Sequence, residues 1–402
     1  MLLSLALIFL VGLSAAAIFG ALKLPRIVGM LAVGIVLGPF VLDLLDPSIL
    51  GISSELRQIA LIIILIKAGI TLNLSDLKKV GRPAVLMAFV PAGFEMLGYF
   101  LIAPHILGIT PIEAAVMGAV LSAVSPAVVV PRMVNLIETK YGTEKSIPQM
   151  ILAGASCDDI FVIVLFSTFV AMAQGGSANA ADFVNIPVSI ILGVLLGIAA
   201  GFALYFLFKI IRKKRNIRAS VKVIIILGVS FLLMSIETAL KGYVAVSGLL
   251  AVVSMACVIK LKSPADVSKK LSDKFGKLWI AAEIMLFVLV GAAVDIRYTV
   301  TAGAAAVGMI FIALAIRAVG VILCMLGTKL NWHERLFCVI AYLPKATVQA
   351  AIGSVPLSLG LPCGKIVLSV AVLAIVITAP LGAFGIDLSY KRLLQKEEQS
   401  AE

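Results

Sequence analysis

Two adjacent carboxylates, Asp158 and Asp159, stand in the stretch GASCDDIFVIV, inside an apolar run extending from about 146 to 173. Neighbours on a helix point about 100° apart, so the two acids cannot aim at one spot. One can face a basic partner while the other faces a cavity. Five more ionisable residues fall inside apolar runs: Lys67, Glu95, Glu283, Arg317 and Lys345. A charge at the centre of a membrane helix costs on the order of 3 kcal/mol on insertion scales, and Leu would cost less. Four acids against three bases leave one negative charge over. A cavity holding one uncompensated carboxylate takes up a proton or a metal cation. Because one carboxylate binds H⁺ or a small alkali cation but not both, such a site couples the two ions. Carboxylate, hydroxyl and carbonyl oxygens suit a hard cation, and no imidazole or thiolate set for a transition metal occurs. For Lys67 and Glu283 the alternative is a structural pair, leaving at most a secondary part in ion handling.

The segments that carry these charges read as membrane spans. The chain of 402 residues is 62% hydrophobic and 13% charged, with a mean hydropathy of +1.16, where a soluble domain has about 25% charged residues. Apolar runs of about 20 residues recur, each long enough to cross roughly 30 Å of hydrocarbon. The alternating strands of a barrel are missing. The expected class is an all-α polytopic membrane protein of thirteen spans. Lys and Arg cluster in alternate connections, among them Lys78, Lys79 and Arg82, and the block KIIRKKRNIRASVK, whereas AQGGSANAADFVN has none. The positive-inside rule puts the N-terminus outside and the C-terminus in the cytoplasm, which an odd number of spans satisfies. No basic residue precedes the first apolar run, MLLSLALIFL, so it reads as a retained helix. The net charge of +12 belongs to cytoplasmic loops, with membrane lipid as the partner and not nucleic acid. The five cysteines read as reduced and packed, and His105 and His333 lie near span ends. No cofactor and no enzymatic activity is expected.

Thirteen spans factor as six, one linker and six, the second set inverted relative to the first, as in inverted-topology transporters. Span 5, MGAVLSAVSPAVVVPRMV, carries Pro126 and Pro131; span 12, CVIAYLPKATVQAAIGSVPL, carries Pro344, Gly353 and Pro356. An internal proline removes an amide donor and clashes with the carbonyl four residues back. Freed backbone groups in lipid cost several kcal/mol unless protein or water satisfies them. Two interrupted helices at matching positions of two halves point to a binding site. A crossing pair of unwound segments is therefore expected, with the Ser125 and Thr347 hydroxyls and freed carbonyls facing a midplane cavity.

GASCDDIFVIV resembles the paired-aspartate helix of sodium/proton antiporters in the cation:proton antiporter superfamily. YLPKATVQAAIGSVP and IILIKAGITLNL resemble helices of the NHA-type branch, and the resemblance covers essentially the whole chain. It implies that Asp159 binds the transported Na⁺ or Li⁺ and that Asp158 is the neighbour that pairs with a base. Arg317 stands where electrogenic relatives carry a lysine, with Glu95 as its salt-bridge partner and Lys345 paired with Asp158. The resemblance further implies a homodimer, with residues 1–74 and 219–296 (spans 1–3 and 8–10) as the dimerisation scaffold. The ion-carrying core would be 83–173 and 300–387 (spans 4–6 and 11–13), with 184–211 as linker helix and 388–402 as cytoplasmic tail. In the family the core moves like an elevator. An arginine cannot release its proton as a lysine can, so electroneutral exchange is expected, with Lys345 as the residue that could still titrate.

The leading expectation is thus exchange of Na⁺ or Li⁺ for H⁺ at a plasma (inner) membrane. The alternatives are a sodium-coupled symporter of an organic anion and a K⁺/H⁺ efflux antiporter. An intramembrane aspartyl protease needs two acids facing each other from separate helices, which adjacent residues cannot do. A non-transporting ion sensor would need an output domain that the short loops do not offer.

Overall fold

A computed structural model of the chain describes residues 1–71, 81–175, 180–214, 218–240, 244 and 246–397. Lys78 and Lys79, parts of the loop 174–185 and of the basic block near 215, the end of the tail, and the side chain of Cys157 lie outside the described residues, as do the last three residues of IILIKAGITLNL. The described residues form eighteen helices and no named strand. In order they are α1 (Leu2–Ala21), α2 (Arg26–Leu37), α3 (Pro47–Gly51), α4 (Ser53–Thr71), α5 (Arg82–Met87), α6 (Val90–Leu107), α7 (Pro111–Leu121), α8 (Pro126–Glu138) and α9 (Ile147–Gln174). They continue with α10 (Ala180–Lys214), α11 (Ala219–Leu240), α12 (Gly248–Lys262), α13 (Ala265–Ala292), α14 (Ile296–Cys324), α15 (Trp332–Ala341), α16 (Thr347–Gly353), α17 (Val355–Ser358) and α18 (Gly364–Leu393).

Among the described residues, eight helical stretches are long and apolar enough to cross a membrane, and the shorter Arg26–Leu37 and Phe161–Gln174 are apolar as well. The chain is therefore an integral, multi-pass membrane protein. Contacts divide it into two compact units. The first comprises Met1–Ser54, Asn73–Val162 and Phe287–Glu402, and the second comprises Glu55–Leu72 and Ile163–Leu286.

In the second unit α10 lies on α12 through small residues. A Cβ at Gly193, Gly197 or Gly201 would overlap Ser247, Ala251 or Val258 respectively. Without a hydrophobic driving force between helices in lipid, such close backbone approach supplies the packing. In the first unit α6 lies between α7 and α14 in the same manner: Gly118 is pressed against Met96 and Tyr99, Gly98 against Ile316, and Gly320 against Pro91 and Phe94.

Both broken spans start on a capping box. Thr110 accepts from the Glu113 amide while Glu113 accepts from the Thr110 amide, and Asn331 and Glu334 do the same. Glu334 also takes Lys145 Nζ at 2.9 Å. The first span then unwinds over residues 122–125 and the second over 343–346. Pro126 does not sit inside a helix; it opens α8, where its missing N–H is one that a helix start leaves unpaired anyway. It holds Ser125 extended, at φ −87° and ψ 110°. Pro131 corrects the expectation from sequence. It lies within α8, which runs on to Glu138, because one lost ladder bond is carried by the bonds around it. Pro344 lies in the second gap, and Pro356 opens α17.

Candidate functional site

Many of the unwound backbone groups bond to protein, which offsets the cost of bare amides and carbonyls in a membrane. In the first gap the Ser122 carbonyl accepts from Arg317 Nη1, the Ala123 carbonyl from Gln349 Nε2 at 2.8 Å, the Val124 amide donates to Asp158 Oδ2 at 2.7 Å, and the Ser125 amide donates to the Pro344 carbonyl at 2.8 Å. In the second gap the Lys345 amide donates to Thr378 Oγ1 at 2.9 Å and the Ala346 amide to Gln349 Oε1 at 2.8 Å. The two gaps therefore cross and touch. Gly382 of α18 lets this happen, since a Cβ there would overlap the Pro344 ring.

Buried charge surrounds the crossing. Glu95 of α6 is fully buried, and its Oε2 accepts from Arg317 Nη1 at 2.7 Å and from Lys345 Nζ at 2.5 Å. Arg317 of α14 also reaches Asp158 Oδ2 at 3.4 Å, and its guanidinium lies 5.4 Å from the centre of the Tyr342 ring. Lys345 therefore meets Glu95 and not, as the resemblance implied, Asp158. Asp158 of α9 already has an arginine and a backbone amide. The shorter lysine, rooted in the second gap, closes on the carboxylate nearest its own head.

Asp159 is different. It is 8% exposed, and its Oδ1 has no hydrogen-bond partner among the described residues. The same holds for Asp158 Oδ1, Ser125 Oγ and Thr347 Oγ1, all buried. Ser125 and Thr347 each flank a gap, and the Val124 amide ties the aspartate helix to the first. Three carboxylates and two bases are buried in this part of the unit: Glu95, Asp158 and Asp159 against Arg317 and Lys345. Asp159 is the one with no salt bridge among the described residues. A carboxylate of this kind can hold a proton or, as an oxygen donor, a hard cation. Among the described residues no group of three His, Cys, Asp or Glu side chains could cage a metal ion.

Lys67 and Glu283 belong to the other compact unit. They are near enough to interact electrostatically, and Lys67 Nζ lies 6.0 Å from the Trp279 ring centre. Gln349, Tyr342 and Thr378 were not singled out from the sequence. Gln349 carried a legible signal, a Gln at the third position of a short helix behind a break, which is the spacing of a capping residue.

Membrane-crossing helices, two of them broken and crossed beside buried acids, define a polytopic membrane protein with a discontinuous-helix site. The fold is that of the sodium proton antiporter MjNhaP1 from Methanocaldococcus jannaschii, with a TM-score of 0.80 over 97% of each chain at 22% identity. The sequence pattern described as "Sodium/hydrogen exchanger, transmembrane" matches residues 5–388, and the chain belongs to that family, within the cation:proton antiporter superfamily. Human "Sodium/hydrogen exchanger 9B2" is 34% identical over 363 residues, covering 86% of this chain and 65% of that protein. The mouse protein of the same name is 31% identical over 417 residues, covering 98% and 74%. The chain thus spans less than two thirds of the human relative's length.

Proposed function

We propose that this protein is a secondary antiporter exchanging Na⁺ or Li⁺ for H⁺, with the two ions competing for Asp159. The observation that carries the reading is Asp159 itself, a buried carboxylate with no salt bridge among the described residues. It stands in a cluster whose other two acids are held by Arg317 and Lys345. Asp158 Oδ1, Ser125 Oγ and Thr347 Oγ1 are further buried oxygens without hydrogen-bond partners among the described residues. The names of the relatives support the same reading. Arg317 keeps its charge throughout the cycle, which supports electroneutral exchange.

The remaining parts of the reading follow from it. The chain crosses the membrane thirteen times as two inverted sets of six around the linker 184–211. Spans 1–3 and 8–10 form a homodimeric scaffold, and spans 4–6 and 11–13 form a core that carries the ion by an elevator movement. The N-terminus is outside and the tail cytoplasmic, in a plasma (inner) membrane, where the exchange serves pH homeostasis and sodium tolerance.

The test is a cation screen on proteoliposomes bearing an internal pH dye, with and without an imposed membrane potential. Proton efflux should follow added Na⁺ or Li⁺ at alkaline pH, be insensitive to potential, and vanish in Asp159→Asn. Flux with K⁺ alone would select an efflux antiporter instead, and flux that survives Asp159→Asn would end the proposal.

A further inference from the structure

Gln349 lies at the crossing, fully buried, in the third position of α16. Its side chain uses both ends. Nε2 donates to the Ala123 carbonyl at 2.8 Å and lies 3.4 Å from the Leu121 carbonyl, both on the first broken span. Oε1 accepts from the Ala346 amide at 2.8 Å, in the second gap. One planar carboxamide thus bridges the two gaps. Apart from the bond between Ser125 and Pro344, it is their direct hydrogen-bonded link among the described residues.

The positions of its partners matter. Ala123 is two residues before Ser125 and Ala346 is immediately before Thr347. The buried hydroxyls of Ser125 and Thr347 have no hydrogen-bond partner among the described residues. Loss of the carboxamide would free a carbonyl and an amide next to both hydroxyls, and each buried group left unpaired would seek another conformation or a water. No charged side chain stands in for it. The titratable groups around the crossing are Asp158 and Asp159 on α9, Glu95 on α6, Arg317 on α14, Lys345 in the second gap and Tyr342 directly before that gap. Gln349 is hydrogen-bonded to none of them.

We infer that Gln349 is a positioning residue that sets the register of the two gaps and thereby the cation affinity of the oxygen site between them. The inference rests on the exchange reading above. It assigns Gln349 no contact with the ion.

The experiment compares Gln349→Glu and Gln349→Leu with the wild type in proteoliposomes, reading apparent KM for Na⁺ and maximal rate against pH, with gel filtration reporting fold. In Gln349→Glu, the protonated carboxyl group can donate to the Ala123 carbonyl and accept from the Ala346 amide, so it reproduces the bridge. Once ionised it has no proton to give and sets a charged oxygen against two carbonyls. Relative to wild type at each pH, Gln349→Glu should keep its KM at the acid end and raise it about tenfold at the alkaline end. Gln349→Leu should raise KM about tenfold at every pH, with a smaller change in maximal rate.

A residue that served only to fill space would show no rescue by protonation. A Gln349→Glu variant whose KM tracks the wild type across the whole range overturns the inference, as does a folded Gln349→Leu with unaltered KM. If Gln349→Leu fails to fold, Gln349→Glu decides alone. Should the wild type show no Na⁺-dependent flux, the exchange reading falls first. The Na⁺-induced rise in melting temperature of Gln349→Glu at the two pH extremes then reads the bridge separately. A rise that matches the wild type at both overturns it.

Discussion

The backbone amide of Ser125 donates to the carbonyl of Pro344 at 2.8 Å, so one broken helix closes a main-chain bond on the other across a separation of more than two hundred residues. In a membrane interior this is how an unwound segment is tolerated. The groups a proline or a break sets free are used to fasten a second break. The hydroxyls of Ser125 and Thr347 and Oδ1 of Asp159 stay buried without hydrogen-bond partners among the described residues.

Asp159→Asn separates transport from stability. The amide is close in shape and removes a buried charge that has no salt bridge among the described residues. Uncompensated buried charge is unfavourable. Na⁺-dependent proton flux should disappear while the melting temperature in detergent stays equal to or above that of the wild type. A melting temperature several degrees lower would mean that the carboxylate is held by bonds whose loss the fold feels.

Glu95→Gln does the reverse. It leaves Arg317 and Lys345, both 1% exposed, without the carboxylate they share. Breaking a buried pair by removing one partner costs about 3–5 kcal/mol. Asp158→Asn should cost less, about 1–3 kcal/mol, because its remaining carbonyl oxygen still accepts from the Val124 amide. Denaturation of the three proteins in one detergent should rank them wild type, Asp158→Asn, Glu95→Gln. The opposite order of the two variants would place the weight of the network on α9.

Gly382→Ala tests the close approach behind the second gap. A Cβ there overlaps the Pro344 ring, and overpacking of this kind costs about 1–3 kcal/mol. The helix must move off the gap, so the rate of exchange should fall with the stability. Gly308→Ala on α14 is the matched control. Nothing lies within 4 Å of a Cβ at that position, and alanine stabilises a helix interior by about 0.5–1 kcal/mol relative to glycine. Equal melting temperatures for the two variants would remove Gly382 from the account.

Arg317→Lys addresses charge movement. The guanidinium reaches Glu95, Asp158 and the Ser122 carbonyl at once, which a single ammonium cannot match, and a lysine can release its proton. Exchange by the variant should become sensitive to an imposed potential, and the apparent affinity for Na⁺ should fall. Flux that stays blind to potential in this variant would shift the question to Lys345.

Class, membrane character and the location of the breaks were legible in the residues alone, for a physical reason. Hydropathy, the cost of a charge in hydrocarbon and the stiffness of proline are local properties, so LSAVSP and YLPKAT announce interruptions wherever the chain goes. Even there, locality has limits. Pro131 looked like Pro126, but only Pro126 stands at a helix start, and a helix absorbs a single missing bond in its interior.

Partner choice belongs to the tertiary structure. Glu95 meets Arg317 across 222 positions and Lys345 across 250, and no spacing rule reaches that far. The acid pair by itself allowed either aspartate to face a base. Helix α9 is rotated so that Asp158 faces Arg317 and the Val124 amide, and among the described residues no base forms a salt bridge with Asp159. Gln349 read as one polar residue in an apolar string until the crossing brought two backbones within its reach. Local composition decides that a charge is buried; only the packing of distant helices decides what it is buried against.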